Sequence, residues 1–426
     1  MDETSKVAKA TKAALKYDPF IVMIKPVGSL CNMNCSYCYY KTNRNSDKIM
    51  SDETLELFIR QYIDATTGPV VNFIWHGGEP TLAGLDFFKR VVELQTKYLP
   101  DGWSCWNNLQ TNGLLVDDEW CDFLAENNFD IGLSIDGTTE SHNSIRKTNT
   151  DEITYYRITE AIKRLKEKGI NPDLLCTVNS LTVKQPIEVY KALRGFSTGW
   201  IQFIPIVNKL YDGITPESIT AAEYGKFLKD VFDSWVLYDL DTVGIQFFSE
   251  ILRIASGGSA SVCHMAPTCG RAVVVEADGR VYSCDHYADE LHLLGDIHDK
   301  ELLGLVNQTK QYEFGDKKKM TLTKKCIDCR WISFCNGGCP KDRIFTVPSE
   351  IYPLNHLCEG YMDFFSYIEP VIKLIINLQK QNRSATDIMK VLQNEVKRIW
   401  KDVKRNDPCP CGSGKKAKNC CWYKRM

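Results

Sequence analysis

The sequence predicts an α/β protein built on a parallel sheet, followed by a cysteine-rich region with a different rhythm. Three observations carry this. Strand-like apolar segments alternate with helix-like segments six times between residues 20 and 240, the signature of repeated βα units. Beyond about residue 240 the alternation stops. Eighteen cysteines fall mostly in clusters at short spacings, so metal sites, not packing alone, shape the chain.

Residues 1–19 are a polar lead-in with some helical character. The predicted strands are Ile21–Lys25, Val70–Trp75, Cys105–Gln110, Asp130–Ile135, Asp173–Val178 and Trp200–Pro205. The predicted helices cover 51–65, 84–98, 117–128, 151–168, 185–196 and 220–238. Asp117 and Asp118 suit a helix N-terminus. Gln110-Thr111-Asn112-Gly113 and Asn179-Ser180 punctuate strand ends. A barrel and a doubly wound sheet both satisfy this pattern. Val273–Tyr282 then reads as a β-hairpin with an Asp278-Gly279 turn. Residues 308–325 are lysine-rich and read as a solvated connection, while 361–378 and 384–400 have helical periodicity. These shifts divide the chain into 1–19, a main unit at 20–240, a cysteine-rich unit at 241–375, a helical linker at 376–400 and a tail at 401–426.

With 426 residues, 44% apolar, the chain can bury a large core. The formal net charge of −2 gives no sign of a DNA-binding protein. No run of 18 apolar residues is present to span a membrane, and Met1–Lys16 lacks the apolar stretch of a signal peptide. Clustered cysteines in a long chain of this kind indicate a cytoplasmic, metal-rich protein rather than a disulfide scaffold.

Cys31, Cys35 and Cys38 occupy one short loop after the first strand. Soft thiolates suit iron–sulfur iron or zinc. Three local ligands leave one corner of a four-iron cluster free; a zinc knuckle would borrow a distant fourth cysteine. The second strand runs into His76-Gly77-Gly78-Glu79-Pro80, where the glycines permit close backbone approach or positive φ. Together, the cysteine loop, Tyr37 before its third cysteine and the Gly-Gly-Glu-Pro string resemble the radical S-adenosylmethionine (SAM) superfamily. That resemblance implies a partial (β/α)6 barrel with its chemistry at the C-terminal strand ends. It implies a [4Fe–4S] cluster on the three cysteines, with SAM on the open iron and cleaved to a 5′-deoxyadenosyl radical. Gly77, Gly78 and Glu79 would meet the SAM amino group, Ser134 and Asp136 the ribose end, and Arg146 the carboxylate. His76 reads equally well as a packed histidine.

Eight further cysteines follow: Cys263, Cys269, Cys284, Cys326, Cys329, Cys335, Cys339 and Cys358. Spacing allows two four-cysteine sites, either iron–sulfur or zinc. This longer pattern resembles the twin-cluster SPASM domain of peptide-modifying radical SAM enzymes. The resemblance assigns Cys263, Cys269, Cys284 and Cys339 to one auxiliary [4Fe–4S] cluster, and Cys326, Cys329, Cys335 and Cys358 to another. With the loop cluster that makes three [4Fe–4S] clusters. Cys105, Cys121 and Cys176 stand singly and read as small buried hydrophobes.

Residues 20–365 resemble the anaerobic sulfatase-maturating enzymes, on Cys31–Tyr39, Trp75–Gly84, Leu109–Leu114, Gly132–Gly137, Trp200–Pro205 and Cys284-Asp285. The implied reaction oxidises a cysteine or serine of an unfolded sulfatase to Cα-formylglycine. Hydrogen abstraction at Cβ is followed by proton transfer to Asp285 and electron exit through the auxiliary clusters. An external reductant such as flavodoxin or ferredoxin is implied too. Two other readings are a radical SAM enzyme that crosslinks a ribosomal peptide and a non-catalytic metal-bearing scaffold. Complete SAM motifs weigh against the scaffold.

The tail carries Cys409, Cys411, Cys420 and Cys421, a compact set for one tetrahedral zinc. It resembles the zinc motif at the C-terminus of the secretion motor ATPase. Residues 401–426 hold eight Lys or Arg against two Asp, suiting an acidic protein surface or the ribosome as a docking partner.

Overall fold

The structure, a computed structural model, describes residues 19–41, 48–196, 199–410 and 414–419. Six strands form its centre: β1 (Ile21–Ile24), β2 (Val70–Trp75), β3 (Ser104–Thr111), β4 (Phe129–Ser134), β5 (Asp173–Val178) and β6 (Trp200–Pro205). They pair in parallel in sequence order. A doubly wound sheet would reverse order at a switch point; unbroken order is that of a barrel. The barrel is partial, because both edges carry further strands. β7 (Gly244–Ile245) lies beside β6. At the other edge β8 (Ala272–Val275) pairs in parallel with β1, and β9 (Arg280–Tyr282) and β10 (Leu293–Asp296) extend it antiparallel. Thus the predicted hairpin of the cysteine-rich region continues the sheet of the main unit.

Strand alternation explains which face is which. Val22, Ile24, Val71, Phe73 and Trp75 are fully buried against the helices. The opposite faces present Asn72, Asn108, Gln110, Ser134 and Gln202, which stay half-buried, so the barrel interior is polar and partly open. Helix starts follow their caps: Ser51 accepts from Thr54 N, Asp117 from Trp120 N, and Thr220 forms a capping box with Glu223.

Two predicted features differ. The helix expected over 151–168 spans Tyr155–Glu167, because Asp151 takes a φ of +67° that a helix excludes. The stretch read as a solvated lysine-rich connection is largely the helix Thr309–Met320, and it is docked: Gln311 and Lys318 are both 1% exposed. A short helix, Thr139–Ile145, was not expected.

Helices Ala221–Tyr238 and Cys358–Lys380 cross at paired glycines. A Cβ at Gly360 would stand 2.1 Å from the Ala221 carbonyl oxygen, and one at Gly225 would stand 2.9 Å from the Gly360 oxygen. Gly360→Ala is therefore expected to destabilise the fold by about 1–3 kcal/mol through overpacking, seen as a lower urea midpoint at unchanged slope. No described helix is long and apolar enough to cross a membrane.

Candidate active site

The cysteine loop follows β1 and is pinned from two sides. On one, Asn34 N donates to Lys147 O (2.8 Å) and Asn149 Nδ2 to Cys31 O (2.8 Å). On the other, Gly78 N donates to Gly28 O (2.9 Å) and Glu79 N to Leu30 O (2.8 Å). A Cβ on Gly78 would sit 2.0 Å from the Leu30 oxygen, so only glycine permits this approach. Gly77 has a φ of +133°. Glu79 is fully buried and accepts from Thr81 N (3.1 Å), Thr81 Oγ1 (2.7 Å), Thr111 Oγ1 (2.7 Å) and Asn112 N (2.7 Å). Its carboxylate ties the ends of β2 and β3 together behind the loop.

Tyr37, Asp136 and Arg146 form one buried chain. Arg146 Nη1 donates to Tyr37 OH (2.6 Å), and Tyr37 OH donates to Asp136 Oδ2 (2.7 Å). Asp136 Oδ1 accepts from Thr177 N (2.8 Å). His142 accepts the Asp136 N–H at Nδ1 (3.1 Å) and lies 3.0 Å from Thr154 Oγ1 through Nε2, so it is a structural histidine here. Arg146 Nε is buried and has no hydrogen-bond partner among the described residues. Ser134 Oγ accepts from Gln110 Nε2 (3.2 Å) on the inner barrel face.

Asp285 reaches this region through the sheet. β8 on β1 sets Glu276 next to Lys25, and the hairpin returns Asp285 to the same place. Lys25 Nζ, on a side chain 1% exposed, stands 2.5 Å from Asp285 Oδ1 and 3.8 Å from Glu276 Oε1, and 3.4 Å above the Tyr40 ring. Tyr39 OH donates to Asp285 Oδ2, and Tyr40 OH to Glu276 at 2.6 and 2.7 Å. Burial would raise the Asp285 carboxyl, but the Lys25 ammonium is the main opposing charge, and the carboxyl is held well below the usual carboxylate range. Burial raises the Glu276 carboxyl, only partly offset by Lys25 and Tyr40. Burial lowers His76 and takes His286 down to about 4, so both rings are neutral at pH 7.

Eight of the other cysteines fall into two neighbourhoods, two quartets. Cys263 is within electrostatic reach of Cys269, Cys284 and Cys339, and Cys284 of Cys339. Cys335 and Cys358 are within reach of each other and of Cys326 and Cys329, and all four line one small cavity. Burial pushes the Cys31, Cys339 and Cys358 thiols up to about 12. Thiols this reluctant to ionise become ligands only when a cation compensates them, as thiophilic metal does. The donor sets, and the orphaned Arg146 Nε near the loop, fit iron–sulfur clusters and a carboxylate-bearing cofactor. Cys121 and Cys176 are buried and Cys105 is half-buried. In the tail, Cys409 is buried and its N–H donates to Lys415 O (2.8 Å); Cys411, Cys420 and Cys421 lie outside the described residues.

Lys25, Tyr39, Tyr40 and Glu276 escaped sequence reasoning. One signal was available: a lysine ending an otherwise apolar buried strand needs an anion nearby.

Residues 26–193 match the radical SAM superfamily, 263–330 an iron–sulfur cluster-binding domain and 405–422 the SEC-C motif. The serine-type anaerobic sulfatase-maturating enzyme of Bacteroides thetaiotaomicron is 36% identical over 407 residues, covering 91% of this chain and 98% of that protein. The cysteine-type enzyme of Clostridium perfringens is 37% identical over 368 residues, covering 84% and 99%. The solved structure of native anSMEcpe with bound AdoMet and Cp18Cys peptide superposes with a TM-score of 0.78 at 36% identity, covering 84% of this chain and 99% of that one.

Proposed function

This chain belongs to the anaerobic sulfatase-maturating enzymes, SAM-dependent radical enzymes with iron–sulfur clusters, and from that premise we propose that it oxidises a cysteine or serine of an unfolded sulfatase to Cα-formylglycine with Asp285 as the base. The observation that carries the proposal is the meeting of Asp285 with Lys25 and Tyr39 at the C-terminal end of β1, where the cysteine loop begins. When bound, SAM and the loop cluster supply hydrogen-atom abstraction at the substrate Cβ, and two auxiliary clusters supply an acceptor for the second electron. Cys31, Cys35 and Cys38 would hold the first cluster and the two quartets the others.

The chain's own residues account for the rest. Gly77, Gly78 and Glu79 hold the loop against β2, and Glu79 Oε2, with one hydrogen bond from Asn112, keeps acceptor capacity for an ammonium. Asp136 fixes Tyr37, Tyr37 fixes Arg146, and the unpartnered Arg146 Nε suits a carboxylate. Ser134 faces the polar interior on the ribose side. Asp285, kept ionised by Lys25, accepts the substrate thiol or hydroxyl proton. Both serine- and cysteine-type relatives stand at nearly equal identity, so the proposal covers both side chains. A flavodoxin- or ferredoxin-like reductant, a cytoplasmic setting and protein or ribosome docking through a zinc-bearing tail complete the reading.

The test is anaerobic incubation of the reconstituted chain with SAM, reductant and a Cys-x-Pro-x-Arg peptide or its serine counterpart. Formylglycine is the expected product by mass spectrometry. The same sample is expected to hold about twelve iron and about one zinc per chain. A crosslinked peptide without formylglycine would favour the peptide-crosslinking reading, and about four iron with about three zinc would remove the auxiliary clusters.

A further inference from the structure

Two buried cations lie between the cysteine quartets, and no described carboxylate pairs with either. Lys318, on the helix Thr309–Met320, is 1% exposed. Its Nζ donates to the carbonyl oxygens of Cys263 (2.7 Å), His264 (3.0 Å) and Ala266. Three acceptors engage three N–H bonds, which only the ammonium form carries. Arg343 is 8% exposed, and its guanidinium is always charged. Its partners are neutral oxygens: Gly337 O (3.1 Å), Asn336 O (3.1 Å), Lys318 O (2.8 Å), Thr321 O (3.3 Å) and Thr321 Oγ1 (3.0 Å). The Arg343–Lys318 hydrogen bond joins the two cations into one unit. Arg343 is within electrostatic reach of Cys326 and Cys335 in one quartet and Cys269 and Cys339 in the other. Lys318 is within reach of Cys263, Cys269 and Cys339.

Burying two positive charges without anions is costly. A four-iron cluster on four thiolates carries net negative charge, and that charge is what the site lacks. We propose that Lys318 and Arg343 are the built-in countercharges of the two auxiliary clusters and raise their reduction potentials. Net charge around a cluster is one of the levers that set its potential. The effect has a direction: reduction adds negative charge, so a fixed cation favours the reduced form. Both sites would thereby become better acceptors for the electron that substrate oxidation releases. The inference rests on the auxiliary sites holding iron–sulfur clusters.

The test is an EPR-monitored potentiometric titration of the iron-loaded full chain, with iron content measured on each sample. Arg343→Gln is expected to lower the auxiliary midpoints, making reduction at least tenfold less favourable, which is about 59 mV for a one-electron couple. Arg343→Lys, which keeps the charge but loses the forked hydrogen bonding, is expected to retain most of the potential. A merely structural role would make both variants alike. If Arg343→Gln fails to load iron, Lys318→Met against Lys318→Arg gives the same comparison on the first quartet. Unchanged midpoints at wild-type iron content would overturn the proposal, as would charge-retaining and charge-removing variants that behave identically. Zinc in place of iron at both quartets would overturn it together with the auxiliary-cluster reading. Loss of formylglycine with shifted midpoints and full iron would leave it standing.

Discussion

Asp285→Asn is expected to cut formylglycine formation by about 10²–10⁴-fold, the usual scale of a general base, with iron content and SAM binding preserved. The substitution keeps the size of the side chain. Asn Oδ1 can still face Lys25, which lies 2.5 Å from the native oxygen, and Glu276 at 3.8 Å remains as an anion for that lysine. What is lost is the ability to take up a proton. The proposed SAM contacts lie elsewhere, at Gly77–Glu79 and along the Tyr37–Asp136–Arg146 chain. Reductive SAM cleavage should therefore continue and uncouple from product. A cysteine peptide should suffer less than a serine peptide, because a thiol with a pKa of about 8.5 releases its proton far more readily than an aliphatic hydroxyl. The measurement is formylglycine per 5′-deoxyadenosine for both peptides, beside iron content. A wild-type ratio at a wild-type rate would show that Asp285 is not the base.

The strand–helix repeat was legible in the sequence because its signals are local, whereas the choice of a barrel over a doubly wound sheet came from the family resemblance. Each strand alternates apolar and inward-facing residues, and each cysteine motif is a fixed spacing. The surroundings of Asp285 were not, because they are assembled across more than two hundred residues of chain. Lys25 follows β1, Tyr39 follows the cysteine loop, Glu276 sits in the turn between β8 and β9, and Asp285 comes after β9; the β8–β1 pairing brings them together. Nothing in a strand's own sequence names its partner. The helix Thr309–Met320 was missed for another reason. It lacks an apolar stripe, and its buried side chains are polar. Gln311 and Lys318 dock it through hydrogen bonds to the carbonyl oxygens of Gly270 and Cys263. Hydrophobic periodicity cannot report a helix held in that way. Gly78 was recognised as a close-approach residue, but its neighbour, the Leu30 carbonyl, is visible only in the fold.

Lys25→Met should expose how much of the site depends on a single buried cation. Removing one member of a buried ion pair leaves its partner uncompensated and costs about 3–5 kcal/mol. Here two carboxylates, Asp285 and Glu276, lose the same ammonium. The loss depends on pH, and its sign follows from the shifts. In the wild-type chain the Asp285 carboxyl is held down, so its contribution to stability is present above the unfolded value of about 3.9 and is lost only as pH falls toward the folded value. Without Lys25, burial is no longer offset and raises the same carboxyl above its unfolded value. The variant then binds a proton more tightly when folded, and its stability declines as pH rises through the raised value. The stability gap between the two chains should therefore be widest near pH 7 and narrow toward about pH 4. Activity should move the other way. A protonated Asp285 cannot act as base, so product formation by the variant should climb with pH across the neutral range, where Asp285 of the wild-type chain is already fully ionised. Lys25→Arg, which restores the charge, should recover most of the stability and flatten the added pH dependence. Urea denaturation of both chains from pH 4.5 to 8, run beside initial rates over the same range, tests this. A constant stability gap together with parallel pH–rate profiles would mean that Lys25 does not set the charge state of Asp285.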